Sequence, residues 1–357
     1  MARAVRVCGG TAASSPDATV QCDVCGEEGW NQGMTDTPAT RTLADVEEQD
    51  LLAIVLPRFS TRDGVLIGPG DDTALLRVRS GDVLATTDTM VLGRDWRDEW
   101  SSGADVGHKL VVQNVADIAA MGGRCTGLLV TLVADPQTPL RWATDFTAGV
   151  EEAAGAAGAA VLGGDLSSAP AGVRMVSITA LGELDGDRAV LRGGARPGDA
   201  LAIHGTLGRA AAGLVLLERG TPDEAPDLVL AQRRPRLDYA QGAIAARAGA
   251  TAMLDISDGL LRDGGRIARA SGIRIDVDRD ALAGDIAALV PAVGPEAARG
   301  CVLAGGEEHS LLATFPPGVL PPGWRAIGAV TEGTGVTFGG EAVTRLGWDH
   351  FGPAAPG

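Results

Sequence analysis

The sequence is poor in lysine, histidine and aromatic side chains, and these shortages limit the kinds of reaction and partner that we expect for the protein. One of the 30 basic residues is lysine (Lys109), four residues are histidine and 3% are aromatic. No histidine stands in a triad-like setting and no GxSxG motif occurs, so we expect no covalent hydrolase. The net charge of −16 disfavours nucleic acid and anionic membrane surfaces as partners.

Long apolar runs and an ordered cysteine pattern are also missing. No stretch reaches the ~18 consecutive apolar residues of a membrane span, and the N-terminus lacks the apolar core of a secretory signal. We therefore predict a cytoplasmic protein that does not contact a membrane. The five cysteines are scattered, which predicts no disulfide framework. Cys22 and Cys25 form a CxxC pair, but no histidine near them completes a zinc site.

The length of 357 residues predicts more than one domain, because single cores stop growing near ~250–300 residues. The segment RGGARPG (192–198) is typical of an interdomain hinge. We predict an N-terminal extension over 1–40, an α/β domain over 41–191, a second α/β domain over 192–345 and a tail over 346–357.

Hydrophobic periodicity organises the chain after the extension into alternating helices and strands. Helices are predicted over 43–59, 104–121, 139–157, 209–220, 236–249 and 259–271. Strands are predicted near 73–78, 82–87, 126–133, 159–163, 174–183, 187–191 and 199–205, with one ending at 255 and a final pair at 310–315 and 325–331. This alternation predicts an α/β fold class, with α+β layers in both halves.

One predicted helix, over 104–121, carries an aspartate on its apolar face. Leu110, Asn114, Asp117 and Met121 recur at steps of four, three and four, so they share one face. Asp117 is therefore predicted to point inward, where a carboxylate needs a partner or a metal ion.

Four further apolar runs end in an aspartate beside glycine, serine or threonine. They are GPGDDTALL (68–76), ATTDTMV (85–91), LGGDLSS (162–168) and LDISDGLLRD (254–263). Each alone is typical of ordinary turns. Together with Asp117 they predict a site for a hard cation with oxygen ligands, and magnesium in turn suits a polyphosphate.

Standard phosphate-binding loops do not account for this pattern. GPGDDT lacks the third glycine of a dinucleotide-binding loop. GTLGRAAAGL (205–214) opens a helix after a strand, which favours either an anion at its amides or tight strand–helix packing. It contains no GK[ST], so a P-loop enzyme is excluded.

Eight motifs in order resemble the thiamine-monophosphate kinase family of the aminoimidazole ribonucleotide synthetase-like superfamily. They are GPGDDTALL, TTDTMV, NVADIAAMG, GGD, RGGARPGD, DISDGL, GGEE and GWDHF, spread from about 48 to 351. The resemblance implies a two-domain fold that binds ATP and magnesium in the N-terminal domain and pairs through it into a homodimer. It also implies phosphoryl transfer from ATP to thiamine monophosphate in a cleft between the domains, with the tail contributing to the substrate site.

The resemblance assigns roles to individual residues. The implied metal ligands are Asp71, Asp72, Thr86, Thr87, Asp88, Asp117, Asp165, Asp255 and Asp258. The implied catalytic residues are Asp88, Asp117 and Asp258, and the implied ATP contacts are Gly164, Asp165, Arg192 and Ser257. The implied contacts to thiamine monophosphate are Asp95, Glu307 and Trp348.

The acceptor pocket departs most from the family pattern. Asp95 stands where the family often has histidine, and GGEDYELL is here GGEEHSLL, which changes three residues beside Glu307.

The chemistry of the implied reaction still fits the residues present, because the acceptor phosphate is mostly ionised at pH 7 and needs no general base. In-line transfer needs two anions aligned and their charge absorbed, by magnesium and by Arg192 as a further cation.

Three other readings remain open at the level of sequence. One is another ATP-using enzyme of the superfamily, although the type that works through a terminal cysteine is disfavoured by the ending Pro356-Gly357. The second is a catalytically silent protein that binds magnesium and nucleotide. The third, an aspartate-rich calcium binder, is disfavoured because the twelve-residue loop with its closing glutamate is absent.

Overall fold

Two long helices cover one face of a four-stranded sheet in the first half of the chain. The computed structural model describes residues 41–69, 73–184, 186, 188–343 and 347–348. The elements of this half are α1 (Glu48–Val55), β1 (Val65–Ile67), β2 (Leu75–Leu76), β3 (Leu84–Val91), α2 (Gly103–Ala120), β4 (Gly123–Ala134), α3 (Leu140–Ala157), β5 (Ala160–Ser168) and β6 (Arg174–Leu184). The sheet has the order β3-β6-β4-β5, with β4 and β5 parallel, while β1 and β2 form a separate antiparallel pair.

Helix α2 is fixed at its start and along its length by local chemistry. Ser102 accepts a hydrogen bond from the Asp105 amide, and the Asp105 carboxylate accepts one from the Ser102 amide, which forms a capping box. Gly107 lets α2 approach α3 closely, because a Cβ there would lie 2.2 Å from the Phe146 carbonyl oxygen. The face of α2 that carries Asp117 is thereby held in a defined position above the sheet.

The second half contains a seven-stranded sheet that is covered on both faces. Its elements are β7 (Ala200–His204), α4 (Arg209–Arg219), α5 (Pro226–Arg233), α6 (Ala240–Arg247), β8 (Ala252–Asp255), α7 (Leu260–Ser271), β9 (Arg274–Val277), α8 (Arg279–Val293), α9 (Pro295–Ala304), β10 (Leu311–Phe315), β11 (Arg325–Thr331), β12 (Gly335–Phe338) and β13 (Glu341–Ala342). The strand order is β13-β12-β9-β11-β7-β10-β8. Alternate residues of β7 enter different cores, Leu201 and Ile203 on one face and Ala202 on the other.

The predicted α/β fold class is confirmed, but several elements differ from the prediction. The predicted helix over 43–59 is split into two short 3-10 turns around α1, and the described residues 188–191 form no strand. Strands β10 and β11 exist, yet β7 lies between them, so they do not pair. Helices α5, α8 and α9 and strands β1, β9, β12 and β13 were not predicted, because their apolar patterns are short or interrupted by glycine and proline.

Hydrogen bonds and ion pairs join the two halves beside α2. Arg234 donates to Asp105 at 2.6 Å and to Glu152 at 3.0 Å. His108 Nε2 lies 3.1 Å from the Pro235 carbonyl oxygen and donates to it. These contacts fix the start of α2 against the segment after α5.

Within the described part of the chain, no helix combines the length and apolar character that crossing a bilayer requires.

Candidate active site

A cleft of about 590 Å³ lies between the two halves and collects most of the predicted site residues. Its lining includes Asp88, Asp95, Asp117, Arg192, Asp255, Ser257, Asp258, Glu307 and Trp348. Thr86, Thr87, Gly164 and Asp165 do not line it, and Asp71 and Asp72 lie outside the described residues.

On the first wall of the cleft, β3 and α2 bring Asp88 and Asp117 to one face. The buried Asn114 joins the two elements, since its Oδ1 accepts from the Asp88 amide at 3.0 Å and its Nδ2 donates to the Leu110 carbonyl at 2.8 Å. Thr86 donates its hydroxyl to Asp117 at 2.6 Å. The predicted inward direction of Asp117 is confirmed, since it lines the cleft.

Asp117 has an unusual affinity for a proton. Burial and the negative charges of Asp255 and Asp88 raise its pKa to about 6, although the hydrogen bond from Thr86 acts in the other direction. The charges of Asp255 and Asp88 thus disfavour the ionisation of Asp117. A divalent cation with oxygen ligands would relieve this repulsion.

Successive residues of β3 point to opposite faces of the sheet, and this separates Thr87 from Asp88. The Thr87 hydroxyl donates to the Ile178 carbonyl at 2.9 Å and accepts from Thr179. Asp165 on β5 accepts from the Ser167 hydroxyl at 2.7 Å and is exposed. The structure thus does not bring these two side chains to the carboxylates of the cleft.

Gly164 is needed for packing in the sheet. A Cβ at this position would lie 1.7 Å from the Val130 carbonyl oxygen, so β4 and β5 approach closely only with glycine there. Strand β5 pairs in parallel with β4 from Ala160 to Ser168, and Gly164 lies opposite Val130 in this register.

The second wall is formed by two loops, after β8 and before β10, and its acidic residues have basic partners. Asp255 lies 3.1 Å from His309 Nδ1, and Asp258 pairs with Arg266. Burial acts to lower the pKa of His309, but the hydrogen bond and charge of Asp255 outweigh it and raise the pKa. Arg266 also pairs with the buried Asp263, which accepts from the amides of Asp258 and Gly259.

The loop before β10 holds its side chains through unusual backbone angles. Glu307 and His309 have positive φ values of 64° and 53°, a conformation that is uncommon for residues other than glycine. The amides of Glu307 and His309 donate to the carbonyls of Ser257 and Ile256, each at 2.8 Å. This pairing turns Glu307 and His309 into the cleft.

The side chain of Glu308, between these two residues, points away from the cleft. It shows what lies at the amides of segment 205–214, where the sequence favoured either an anion or tight strand–helix packing. Its carboxylate accepts from the Thr206 hydroxyl and from the Ala210 amide at 3.0 Å. The start of α4 is therefore occupied by a carboxylate of the protein itself. Burial raises the pKa of Glu308 despite these two hydrogen bonds.

Trp348 reaches the cleft from the C-terminal segment. Its amide donates to the Asp258 carbonyl at 3.0 Å, and its residue surface is 50% exposed. Arg192 lines the cleft beside the end of α7, where its carbonyl accepts from Ser271 at 3.3 Å.

Sequence reasoning missed several residues of the cleft. Trp100 lines it under the guanidinium of Arg97, 4.4 Å from the ring centre, and Gln232 lines it beside Glu307. Arg266 and His309 also line it. Lys109, which pairs with Glu307, left a signal in the sequence as the single lysine of the chain.

Among the residues that the structure describes, no group of three or more His, Cys, Asp or Glu side chains is placed to hold a metal ion. The predicted ligands Asp71 and Asp72 lie outside that part of the chain.

Both halves match models of one protein class. Residues 70–184 match the N-terminal domain of AIR synthase related proteins, and residues 196–340 match the C-terminal domain. The fold is thus that of this class.

Comparison with individual proteins identifies the family within this class. Thiamine-monophosphate kinase of Mycobacterium tuberculosis (strain CDC 1551 / Oshkosh) is 46% identical over 295 residues, covering 81% of this chain and 86% of the relative. A solved thiamine-monophosphate kinase from Stenotrophomonas maltophilia K279a is 32% identical with a TM-score of 0.71, covering 83% and 96%. A structure described as AaThiL complexed with AMPPCP and TMP is 30% identical with a TM-score of 0.71, covering 85% and 96%. The chain belongs to the thiamine-monophosphate kinase family, and the prediction of a kinase is confirmed.

Proposed function

We propose that this chain transfers a phosphoryl group from ATP to thiamine monophosphate and yields thiamine diphosphate. The observation that carries the proposal is the cleft, which is lined by Asp88 and Asp117 on one wall and by Asp255, Glu307 and Trp348 on the other. The relative complexed with AMPPCP, an ATP analogue, and TMP, the abbreviation of thiamine monophosphate, supports the same pair of substrates.

Magnesium fits the place where Asp88 and Asp117 of the first wall face Asp255 of the second wall. Asp88, Asp117 and Asp255 would hold it, and the resemblance adds Asp71, Asp72, Thr86, Thr87, Asp165 and Asp258. Bound magnesium would neutralise phosphate charge during transfer. The side chain of Thr87 faces the other side of the sheet, so any part it has in the site is expected to come from its backbone.

The residues of the chain would align the two substrates. Arg192, with Ser257 and Gly164, is proposed to contact ATP. Glu307 and Trp348 are proposed to hold the thiamine portion of the acceptor, while Asp95 shapes the same pocket. Asp95 accepts from the Val91 amide at 2.7 Å, so it fixes the turn that follows β3. No proton needs to leave the acceptor, because its phosphate is already ionised at neutral pH.

Release of ADP tests this function directly. We expect ADP to form with ATP, magnesium and thiamine monophosphate, and to stay at background with thiamine or without an acceptor. Binding of ATP without any release of ADP would instead indicate a silent nucleotide-binding protein. Turnover with a different acceptor only would indicate another enzyme of the superfamily.

We also propose that the chain forms a homodimer through the open face of the four-stranded sheet. Helices α2 and α3 cover one face, whereas Val91, Leu129 and Val173 expose 39%, 40% and 42% of their surface around the other. Exposed apolar side chains grouped on a sheet indicate a protein interface. Leu129→Asp should shift the mass measured by light scattering from dimer to monomer, while Leu230→Asp, on the exposed side of α5, should leave a dimer.

The domain bounds stay part of this proposal, with an N-terminal domain over 41–191 and a C-terminal domain over 192–345. Residues 1–40 and nearly all of the predicted tail over 346–357 lie outside the described residues.

A further inference from the structure

Lys109 carries a buried positive charge at the joint between the two halves. It is the single lysine of the chain, lies on α2 and is 3% exposed. Its ammonium pairs with Glu307 Oε2, although the two residues are 198 positions apart. Burying an ammonium ion is unfavourable unless a charged partner accepts its hydrogen bonds. The position of Lys109 therefore depends on Glu307.

Glu307 in turn is held from three directions. Its Oε2 accepts from Lys109 and also from Gln232 Nε2 at 3.0 Å, and its amide donates to the Ser257 carbonyl at 2.8 Å. The side chain is nevertheless 38% exposed and lines the cleft. Because both side-chain donors contact Oε2, Oε1 is the oxygen that can receive a molecule in the cleft.

We propose that Lys109 is a positioning residue for recognition of the acceptor. Together with Gln232 it fixes the Glu307 carboxylate so that Oε1 accepts a hydrogen bond from the acceptor, as an amino group on an aromatic ring would donate. The neighbouring ammonium offsets the charge of Glu307, so the pair recognises the acceptor through a directed hydrogen bond and not through a net negative charge. This inference rests on the proposed function.

Helix α2 also connects this contact to the other wall of the cleft. Lys109 and Asp117 lie eight residues apart, which corresponds to about 12 Å along a helix. The same rigid element thus sets the position of the acceptor contact relative to the carboxylates of the first wall.

Steady-state kinetics of single variants test the positioning role. Lys109→Met should raise the KM for thiamine monophosphate about tenfold or more and leave the KM for ATP within about twofold. Lys109→Arg should keep part of the affinity, because a cation remains. The matched control is Arg141→Met, which removes an exposed cation paired with Asp145 on α3, and it should change neither KM. If Lys109→Met lowers the melting temperature but leaves both KM values unchanged, the pair of Lys109 and Glu307 is a structural contact only, and the positioning role is wrong.

A double variant separates a directed hydrogen bond from a net charge. Glu307→Gln keeps an acceptor oxygen but leaves the Lys109 ammonium buried without a carboxylate, so its melting temperature should fall by about 5 °C or more. Lys109→Met/Glu307→Gln removes both charges and should recover most of that loss. Its KM for thiamine monophosphate should also return to within about fivefold of the unchanged protein.

The outcomes of this cycle decide between the explanations. Effects of the two substitutions that simply add, in KM or in melting temperature, would overturn the proposed coupling. If the unchanged protein does not turn over thiamine monophosphate at all, the proposed function fails. The pairing of Lys109 with Glu307 is then still decided by the melting temperatures, where an additive result overturns it.

Discussion

The two walls of the cleft hold their carboxylates in different ways. On the first wall, Asp88 and Asp117 sit on a regular strand and helix, and Asp117 is held by a threonine hydroxyl among other carboxylates. On the second wall, Asp258 pairs with Arg266 and Glu307 pairs with Lys109, and both acids lie on loops.

This difference assigns different tasks to the two walls. Crowded carboxylates that raise the pKa of Asp117 are suited to a cation that arrives from solution. Carboxylates that already have a basic side chain beside them are suited to fixed hydrogen bonds, and a metal ion at Asp258 would have to compete with Arg266. The comparison predicts that substitutions on the two walls have distinct kinetic signatures.

The largest effect is expected on the first wall. Asp117→Asn and Asp88→Asn should each lower kcat/KM by about a thousandfold or more, because a charged ligand is lost from the proposed magnesium site. Asp117→Asn should melt at an equal or higher temperature without magnesium, since burial and its neighbours disfavour the charged form. Asp145→Asn, on the exposed side of α3, is the control and should stay active. Near-normal turnover of either variant at limiting magnesium contradicts the assignment of that residue.

A smaller effect is expected at Trp348 on the second wall. Stacking of an aromatic ring on a cation contributes roughly 0.5–2 kcal/mol. Trp348→Ala should therefore raise the KM for thiamine monophosphate several-fold and leave that for ATP nearly unchanged. Trp100→Ala is a useful comparison. Trp100 packs against the core of the second half, so its replacement should lower the melting temperature in addition to any change in KM. Equal changes in both KM values after Trp348→Ala would assign this tryptophan to the scaffold.

The smallest effect is expected for His108, which lies at the contact between the two halves of the chain. Burial lowers its pKa, opposed by the Pro235 carbonyl and Glu152 and assisted by Arg234 and Arg236. The folded protein thus favours the neutral ring, whose contribution to stability is complete above the unfolded pKa of about 6.5 and is lost as the pH falls below it. His108→Gln keeps a donor for Pro235 but does not titrate. Melting temperatures between pH 7.5 and 5.5 should therefore fall more steeply for the unchanged protein, and parallel curves would contradict this role.

Local patterns could have corrected part of the predicted site. Thr86, Thr87 and Asp88 are consecutive residues of a strand, so their side chains alternate between the two faces. The alternation along this strand is sufficient to separate the side chain of Thr87 from that of Asp88. Motif resemblance carried all three residues together because it does not distinguish side-chain from backbone contacts.

Sheet order was beyond the reach of local patterns. Strands β10 and β11 follow each other in the chain, yet β7 separates them, because pairing in a sheet is decided by packing between distant segments. Helices α8 and α9 were missed for a related reason. Pro291 lies inside α8, and contacts with the rest of the second half hold the helix despite it.

The sequence by itself determined the family, the α/β layers and the inward direction of Asp117, since helical periodicity and motif order are properties of neighbouring residues. Only the tertiary structure decided which charges meet. Lys109 reaches Glu307 across 198 positions, and Glu308 turns away to the start of α4 while its neighbours face the cleft. The energy of a buried charge depends on the partner that folding brings to it, and that partner cannot be read from the residues beside it.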